Sequence, residues 1–360
     1  MELKINHFYS IFIISFLSLT KGLLELSNFP LYLIVLVLVI FSSTFLNHNF
    51  DFKISRFMIP RFFLGIFVIS HGGLWDLIIG LCYIITALYL TFFFEFSVPS
   101  KKITKNLIII FLIIYYLGCM ILYFFKPDIV LNLDRGIDLR FSGLAGDPNF
   151  LAIITITVLF YLFNLKTIPI LLSLIILYLT ESRTATIVFL IYYFIYLKKV
   201  VFTKQYFLLF ANLLVFILLF IVFNVQDEII TKLRFDKIVS QSRMSNLWIP
   251  VIERAEIYNP FLFLFGQGSH FSKDILGVYL HSSILETFIE YGFIGLSLLV
   301  WELKLLYKLS KNSNSLYLLS SFVLINFLFS IHWGVISVLI ISLIFQNFKD
   351  VNFKKYLPTR

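Results

Sequence analysis

The chain has 360 residues, of which 60% are hydrophobic and only 14% are charged, and its formal net charge is +9. Soluble globular domains carry about 25% charged residues, so this composition excludes an ordinary water-soluble domain and predicts that lipid surrounds most of the chain. The positive charge does not require nucleic acid, because basic residues in membrane proteins mostly set topology. Cys82 and Cys119 lie in apolar runs and are interpreted as small buried hydrophobic residues rather than a disulfide.

Apolar runs that approach the length of a membrane span, about 17–25 residues, recur along the chain. The predicted spans are 8–26, 30–46, 58–72, 75–96, 106–125, 149–165, 167–180, 184–197, 206–224, 281–301, 316–331 and 333–347. The first follows Lys4 without a small-residue cleavage site, so it is interpreted as an uncleaved span. The runs on either side of Glu181–Arg183 could instead form one long broken helix. The predicted fold is an all-α, polytopic transmembrane helix bundle of about 10–12 helices, a single integral membrane domain over 1–360.

The distribution of charge tests this topology. With the N-terminus inside, alternate segments collect most of the 29 lysines and arginines, which is the positive-inside pattern and puts both termini in the cytoplasm. Two outer segments are long: an outer loop at 126–148 and a large outer loop at 225–280. Long ordered loops are usually functional, so chemistry is expected to face outward. No inverted repeat of the kind common in transporters is present.

Arginines on the outer side are contrary to the positive-inside pattern, which suggests that they have a specific role. Guanidinium groups pair bidentately with carboxylate or phosphate and keep their charge, which makes Arg140, Arg183 and Arg243 candidates for anion binding. Arg183 lies near membrane depth, where ionisable groups usually face a cavity or a partner. It could instead pair locally with Glu181 or extend its guanidinium to the interface.

A histidine and two glutamates mark the outer start of a late apolar helix. His281 could accept a proton or hold a phosphate, or it could only help to cap the helix. Glu286 and Glu290 share one helix face and need partners, for which an outer arginine is expected. They could act as a general base or form a structural ion pair.

Several common phosphate-handling signatures are absent from the sequence. No two acidic residues are spaced i, i+2, so the Asp-x-Asp arrangement that holds a divalent cation on a sugar nucleotide is missing. The chain also has no P-loop and no glycine-rich dinucleotide loop. If a phosphorylated substrate is handled, side-chain cations are expected to neutralise it, without a metal or cofactor.

Four segments resemble, in the same order, motifs of the O-antigen ligase/polymerase superfamily, which includes Wzy-like oligosaccharide repeat unit polymerases. They are SGLAGDPNFLA (142–152), LTESRTA (179–185), SRMSNLWIPVIERAEIYNPFLFLFGQGSHF (242–271) and HSSILETFIEYGFIGL (281–296). Together they extend over the last two thirds of the chain. Ser282 stands where asparagine is common in the family.

The resemblance implies a GT-C-like enzyme that transfers a glycan from undecaprenyl diphosphate to an acceptor sugar on another lipid-linked unit, without a metal. On this basis Arg183 and Arg243 would hold the diphosphate, and His281 would contact the diphosphate or help to deprotonate the acceptor. The predicted substrate-binding residues are Arg140, Asn149, Gly266, Gly268, Glu286 and Glu290.

The same resemblance implies a location in the bacterial cytoplasmic (inner) membrane, with the active site facing outward. Its implied partners are the undecaprenyl-diphosphate-linked oligosaccharide, membrane lipids, and flippase and chain-length regulator proteins of capsule or lipopolysaccharide biosynthesis, with no nucleic acid. Two alternatives stay open. One is ligase-type transfer to another acceptor such as a lipid A core, and the other is a polysaccharide flippase or transporter.

Overall fold

The structure is a computed structural model that describes residues 56–96, 102–134, 138–161, 167–182, 248–276, 282–310 and 336–345, with short pieces at 25–26, 29–30, 34, 37–38, 185–186, 189, 319, 322–323 and 326. The chain divides into two compact units. Unit one comprises Met1–Ser18, Leu24–Thr104 and Arg243–Arg360. Unit two comprises Leu19–Leu23 and Lys105–Ser242.

The described residues are mostly helical, as predicted, and they include two small antiparallel hairpins that were not predicted. The helices in chain order are α1 (Ile59–Ile69), α2 (Leu74–Phe96), α3 (Lys102–Phe125), α4 (Pro127–Val130), α5 (Pro148–Tyr161), α6 (Thr167–Thr180), α7 (Ile249–Arg254), α8 (Pro260–Phe265), α9 (Phe271–Leu276), α10 (Ser283–Ser310) and α11 (Ile336–Phe345). The strands are β1 (Glu25–Leu26), β2 (Phe29–Pro30), β3 (Leu131–Asp134) and β4 (Asp138–Phe141).

In unit one, α1 and α2 form a tight helical hairpin. Pro60 lies in the first turn of α1, where its missing N–H costs no hydrogen bond, and Gly72 at φ +83° follows the end of the helix. Gly65 and Gly80 face each other across the hairpin, since a Cβ on either one would come within 3.0 Å of the other's carbonyl oxygen. Small residues therefore let the two backbones approach closely, as in packed membrane helices.

A buried ion pair ties α1 to α10 in the interior of unit one. Arg61 Nε donates to Glu302 Oε1 across 2.8 Å, and both side chains are fully buried. Arg61 Nη1 also donates to the hydroxyls of Thr86 on α2 and Ser337 on α11, each at 3.2 Å. The Arg61 guanidinium therefore lies between helices, where it donates to three side chains, and is not only a basic residue that sets membrane topology.

Unit two places a hairpin within the predicted outer loop at 126–148. Strand β3 pairs with β4 so that Asn132 faces Arg140 and Leu131 faces Phe141. A single 3₁₀ turn, Gly143–Ala145, leads to α5. Asp147 Oδ1 accepts from the backbone N–H of Asn149 at 2.6 Å, which is the usual side-chain cap for the otherwise unbonded first amides of a helix.

Two described helices are long and apolar enough to cross a membrane, namely Leu74–Thr91 within α2 and Ser283–Ser310, which is α10. Shorter apolar helices lie at Ile59–Ile69, Ile113–Phe125, Pro148–Thr157 and Ile336–Phe345. Large apolar side chains on α2 and α10 are exposed, among them Leu77, Leu81, Phe293 and Val300. Apolar side chains on the outside of long helices suit a lipid environment.

Several predicted spans coincide with described helices: 58–72 with α1, 75–96 with α2, 106–125 with α3, 149–165 with α5, 167–180 with α6, 281–301 with α10 and 333–347 with α11. The spans 8–26, 30–46, 184–197, 206–224 and 316–331 lie wholly or largely outside the described residues. Helix α6 ends at Thr180, and Glu181 has a φ of +50°, which breaks the helix where the sequence suggested a break. Cys82 and Cys119 are buried, as predicted.

Candidate functional site

A kink in α10 opens the backbone at the position where two predicted motif segments meet. Gly292 has non-helical dihedral angles (φ 63°, ψ −163°) inside the helix. The carbonyls of Ile289 and Glu290 accept from the amides of Gln267 at 3.0 Å and Gly268 at 2.8 Å. The Gln267–Gly268 turn therefore supplies hydrogen-bond donors to two carbonyls just before the kink, where a buried carbonyl without a partner would cost free energy.

Three glycines make this contact possible. Gly266 (φ 81°, ψ −174°) and Gly292 both occupy a backbone region that is essentially restricted to glycine. A Cβ on Gly292 would lie within 3.0 Å of the Leu264 backbone and of the Gly266 nitrogen, and a Cβ on Gly266 would overlap the Glu290 backbone. Gly268 also has a positive φ, +89°. The glycines at 266 and 268 are thus required by backbone geometry, whatever else they do.

Asp76 anchors the same turn from the start of α2. Its Oδ1 accepts from the backbone N–H of Ser269 at 2.8 Å, and its Oδ2 accepts from the N–H of Gly73 at 3.0 Å. The carboxylate is buried and caps α2 while holding a residue that is 193 positions away in sequence. The Ser269 hydroxyl in turn lies 2.6 Å from the phenol oxygen of Tyr291.

Two histidines flank the anchored turn. His71 Nε2 lies 2.7 Å from the carbonyl oxygen of Phe265, the last residue of α8. The His270 ring stacks on Trp75, with centroids 4.3 Å apart and planes 17° apart. Burial first, and then the nearby Lys273 ammonium, lower the pKa of His270 below its ordinary value, because both disfavour the charged imidazolium. His270 is therefore held neutral at neutral pH.

Glu286 and Glu290 lie on the buried face of α10, one turn before the kink. Their side chains are 7% and 3% exposed. The Ser272 hydroxyl donates to Glu290 Oε1 at 3.1 Å. A buried carboxylate with a hydrogen-bonded neighbour can position a polar ligand group or exchange a proton with it. The predicted shared face of the two glutamates is confirmed, while their predicted substrate contact stays a prediction.

In unit two, the residues around Arg140 and Asn149 converge on the turn after α6. Arg140 is buried, and its Nε and Nη2 both donate to the carbonyl oxygen of Thr180, at 3.1 and 2.6 Å. Asn149 Oδ1 accepts from the Ser182 hydroxyl at 3.0 Å. Arg140 thus binds the carbonyl end of a helix, where a cation is favourable. The motif segments 142–152 and 179–185 are joined by direct contacts.

The remaining predicted site residues, Arg183, Arg243 and His281, lie outside the described residues. Asp76, His71 and His270, which lie around the Gly266–Ser269 turn, were not predicted as site residues. The available signal was the SHGGLWD segment, in which paired glycines precede an acid at the start of a helix; this pattern is typical of a turn but does not indicate the turn's distant partner. Within the part of the chain that the structure describes, His, Cys, Asp and Glu side chains form no group of three or more that could hold a metal ion.

No protein-family model matches this chain, and no curated protein matches it in sequence.

Proposed function

We propose that the chain is a polytopic membrane glycosyltransferase that polymerises lipid-linked oligosaccharide repeat units on the outer face of the bacterial cytoplasmic membrane. The observation that carries this proposal is the pairing of the four motif segments. Within unit two, 142–152 contacts 179–185 through Asn149 and Ser182. Within unit one, 242–271 contacts 281–296 through Gly268 and Glu290. Segments that resemble the family's motifs thus meet in pairs although they are distant in sequence.

The polarity of unit one supports an outward-facing site. Helix α1 ends, and α2 and α10 begin, at the end of the unit that carries Asp76, the Gly266–His270 turn and Glu290. The opposite end of α10 carries Lys304 and Lys308. Under the positive-inside pattern, the lysine end faces the cytoplasm, so the polar cluster faces away from it.

The proposed chemistry needs no nucleotide. The donor is a glycan on undecaprenyl diphosphate; an acceptor hydroxyl attacks the anomeric carbon, the glycosyl–oxygen bond breaks, and the diphosphate leaves with the negative charge. Arg183 and Arg243 stabilise that charge, and His281 accepts the acceptor's proton or contacts the diphosphate. Fixed donors aimed at developing charge contribute strongly in a water-poor site, and removing one typically costs about 10²–10³ in rate.

The test is transfer in vitro with purified protein and a defined lipid-diphosphate oligosaccharide, with and without chelator. The wild-type protein is expected to form polymer in both conditions. Arg183→Ala and Arg243→Ala are expected to lower the rate about 10²–10³-fold, and lysine at either position is expected to restore only part of it, because lysine cannot bind a phosphate bidentately. Exposed Arg254 provides the matched control, Arg254→Ala. Normal polymer length from both site variants would refute their role.

A flippase or transporter is the second candidate, and one observation favours it. Charged groups within membrane-buried helices often mark transport pathways, and Arg61 and Glu302 are such a pair. Deletion of the gene separates the two functions. Loss of a polymerase leaves single repeat units displayed outside the membrane, whereas loss of a flippase leaves them trapped inside. Transfer to a core acceptor but not to a second lipid-linked unit would instead identify a ligase.

A further inference from the structure

A short aromatic helix, α8, is exposed on the surface of unit one. None of its residues is buried. The exposed fractions of its large side chains are 64% for Phe261, 40% for Phe263, 41% for Leu264 and 36% for Phe265, and Tyr258 just before it is 95% exposed. A contiguous exposed surface of this kind marks a site of contact with a partner or a membrane.

The sequence around α8 carries no charge. From Ile257 to Phe271 there is no aspartate, glutamate, lysine or arginine. A loop that lies in water normally carries such residues, whereas a tyrosine beside a run of phenylalanine and leucine is typical of the membrane–water boundary.

The backbone of α8 is equipped for an apolar environment, in which unpaired N–H and C=O groups are costly. Pro260, in the first turn of α8, has no backbone N–H that would need a hydrogen-bond acceptor. The Asn259 side chain accepts from the amide of Phe261 at 3.0 Å, and the Asn259 carbonyl accepts from the amide of Phe263 at 2.8 Å. At the other end, the Phe265 carbonyl has His71 Nε2 within 2.7 Å.

The exposed surface of α8 continues onto the apolar helices beside it. The Phe263 ring stacks on Phe293 of α10, with centroids 5.9 Å apart, and Phe293 is itself 49% exposed. The Phe265 ring stacks on Phe67 of α1 at 6.2 Å. Helix α10 is one of the two helices long enough to cross a membrane, so lipid that contacts its exposed side chains also reaches α8.

We propose that α8 is seated in the apolar layer of the bilayer, at the end of unit one where α10 begins, and is not part of a water-exposed loop. The occupant of this surface is lipid acyl chain. The Gly266–His270 turn, which follows α8 directly, then lies at the boundary between acyl chains and headgroups. This inference depends on membrane insertion of unit one and holds whichever reaction the protein carries out.

The test is site-directed spin labelling in nanodiscs of phosphatidylglycerol and phosphatidylethanolamine. Cys82 and Cys119 are buried and are replaced by alanine, after which a single cysteine is introduced at Phe261 or at Leu264 and labelled with a nitroxide. Val300, 54% exposed on α10, provides the lipid reference, and exposed Glu253 on α7 provides the water reference. Each labelled variant is required to elute as a single species in gel filtration; two positions on α8 guard against the failure of one.

Labels at 261 and 264 are expected to collide with oxygen as often as the label at 300, and to be shielded from a water-soluble nickel chelate at least tenfold relative to the label at 253. Relaxation by the nickel chelate equal to that at 253 would overturn the proposal. Shielding from both oxygen and nickel would also overturn it, because a second copy of the chain or another protein would then cover α8 in place of lipid.

Discussion

The backbone N–H of Gly268 donates to the carbonyl oxygen of Glu290 across 2.8 Å, and this bond joins a loop turn to a kinked helix. The kink lies two residues further along α10, at Gly292, whose dihedral angles are not helical. The turn can approach because Gly266 and Gly292 have no side chains. The position of Glu290 is therefore set by backbone contacts as well as by its own helix.

Gly292→Ala is expected to destabilise the protein by at least about 2 kcal/mol, because the new Cβ meets the Leu264 backbone and the glycine-only dihedral region alone costs about 1–3 kcal/mol. Thermal unfolding of the purified protein in detergent measures the effect. Gly118→Ala in α3 is the matched control, since nothing lies within 4 Å of its Cβ, and it is expected to leave the melting temperature unchanged or slightly raised. Equal melting temperatures for the two variants would contradict the interlocking of the turn with the kink.

Asp76→Asn is expected to loosen the Gly266–His270 turn, and Asp76→Ala is expected to loosen it more. Asparagine retains one acceptor oxygen for the two backbone donors, and alanine retains none. Each buried donor left unpaired costs about 1–3 kcal/mol. Hydrogen–deuterium exchange of the Ser269 amide reports the loss directly.

Exposed Asp128 supplies the control for that experiment. Asp128→Asn is expected to leave exchange at Ser269 unchanged. If Ser269 stays protected in Asp76→Ala, the carboxylate does not hold the turn.

Arg61→Ala and Glu302→Ala are each expected to cost about 3–5 kcal/mol, because either change leaves one fully buried charge without its partner. The double variant Arg61→Met/Glu302→Leu is expected to recover most of that loss, since an apolar pair of similar volume needs no compensating charge. Thermal stability and the monodisperse yield after purification measure both effects. Lys304→Ala, at an exposed position of α10, serves as the control. If the double variant is as unstable as the single variants, the ion pair contributes to stability beyond the mutual neutralisation of its two charges.

His270 is expected to make stability depend on pH. Its pKa is lowered in the folded protein by burial and by Lys273, with opposing contributions from Asp274 and Asp76. Below the ordinary histidine pKa of about 6.5, the unfolded chain takes up a proton that the folded protein does not. The stability that neutral, buried His270 contributes is therefore fully present above the ordinary histidine pKa. It is lost as the pH falls from that value toward the lower pKa of the folded protein.

The comparison that isolates this effect is the melting temperature of the wild type minus that of His270→Gln, measured at pH 7.5 and at pH 5.5. The difference is expected to shrink at the lower pH. A difference that is constant or grows on acidification would mean that His270 is not buried in its neutral form.

Residue type and spacing along the chain were enough to locate the longer apolar helices that the structure describes. The apolar runs at 58–72, 75–96 and 281–301 predicted α1, α2 and α10, because the hydrophobic length of a segment is a local property. The four-residue spacing of Glu286 and Glu290 predicted that they share one helix face, whereas Gly266 and Gly268 were marked only by the resemblance of 242–271 to a family motif. Spacing did not predict the β3–β4 hairpin, which lies within a segment interpreted only as a loop, or the short helices α7, α8 and α9 within 225–280.

Tertiary structure alone decided which polar groups are partners. Arg61 and Glu302 are 241 residues apart, and Asp76 and Ser269 are 193 apart. In sequence, Arg61 has the appearance of a topology-setting cation and Asp76 that of a turn residue. A buried charge or amide is stabilised by whichever group the packing brings within about 3 Å of it, and no periodicity along the chain encodes that distance.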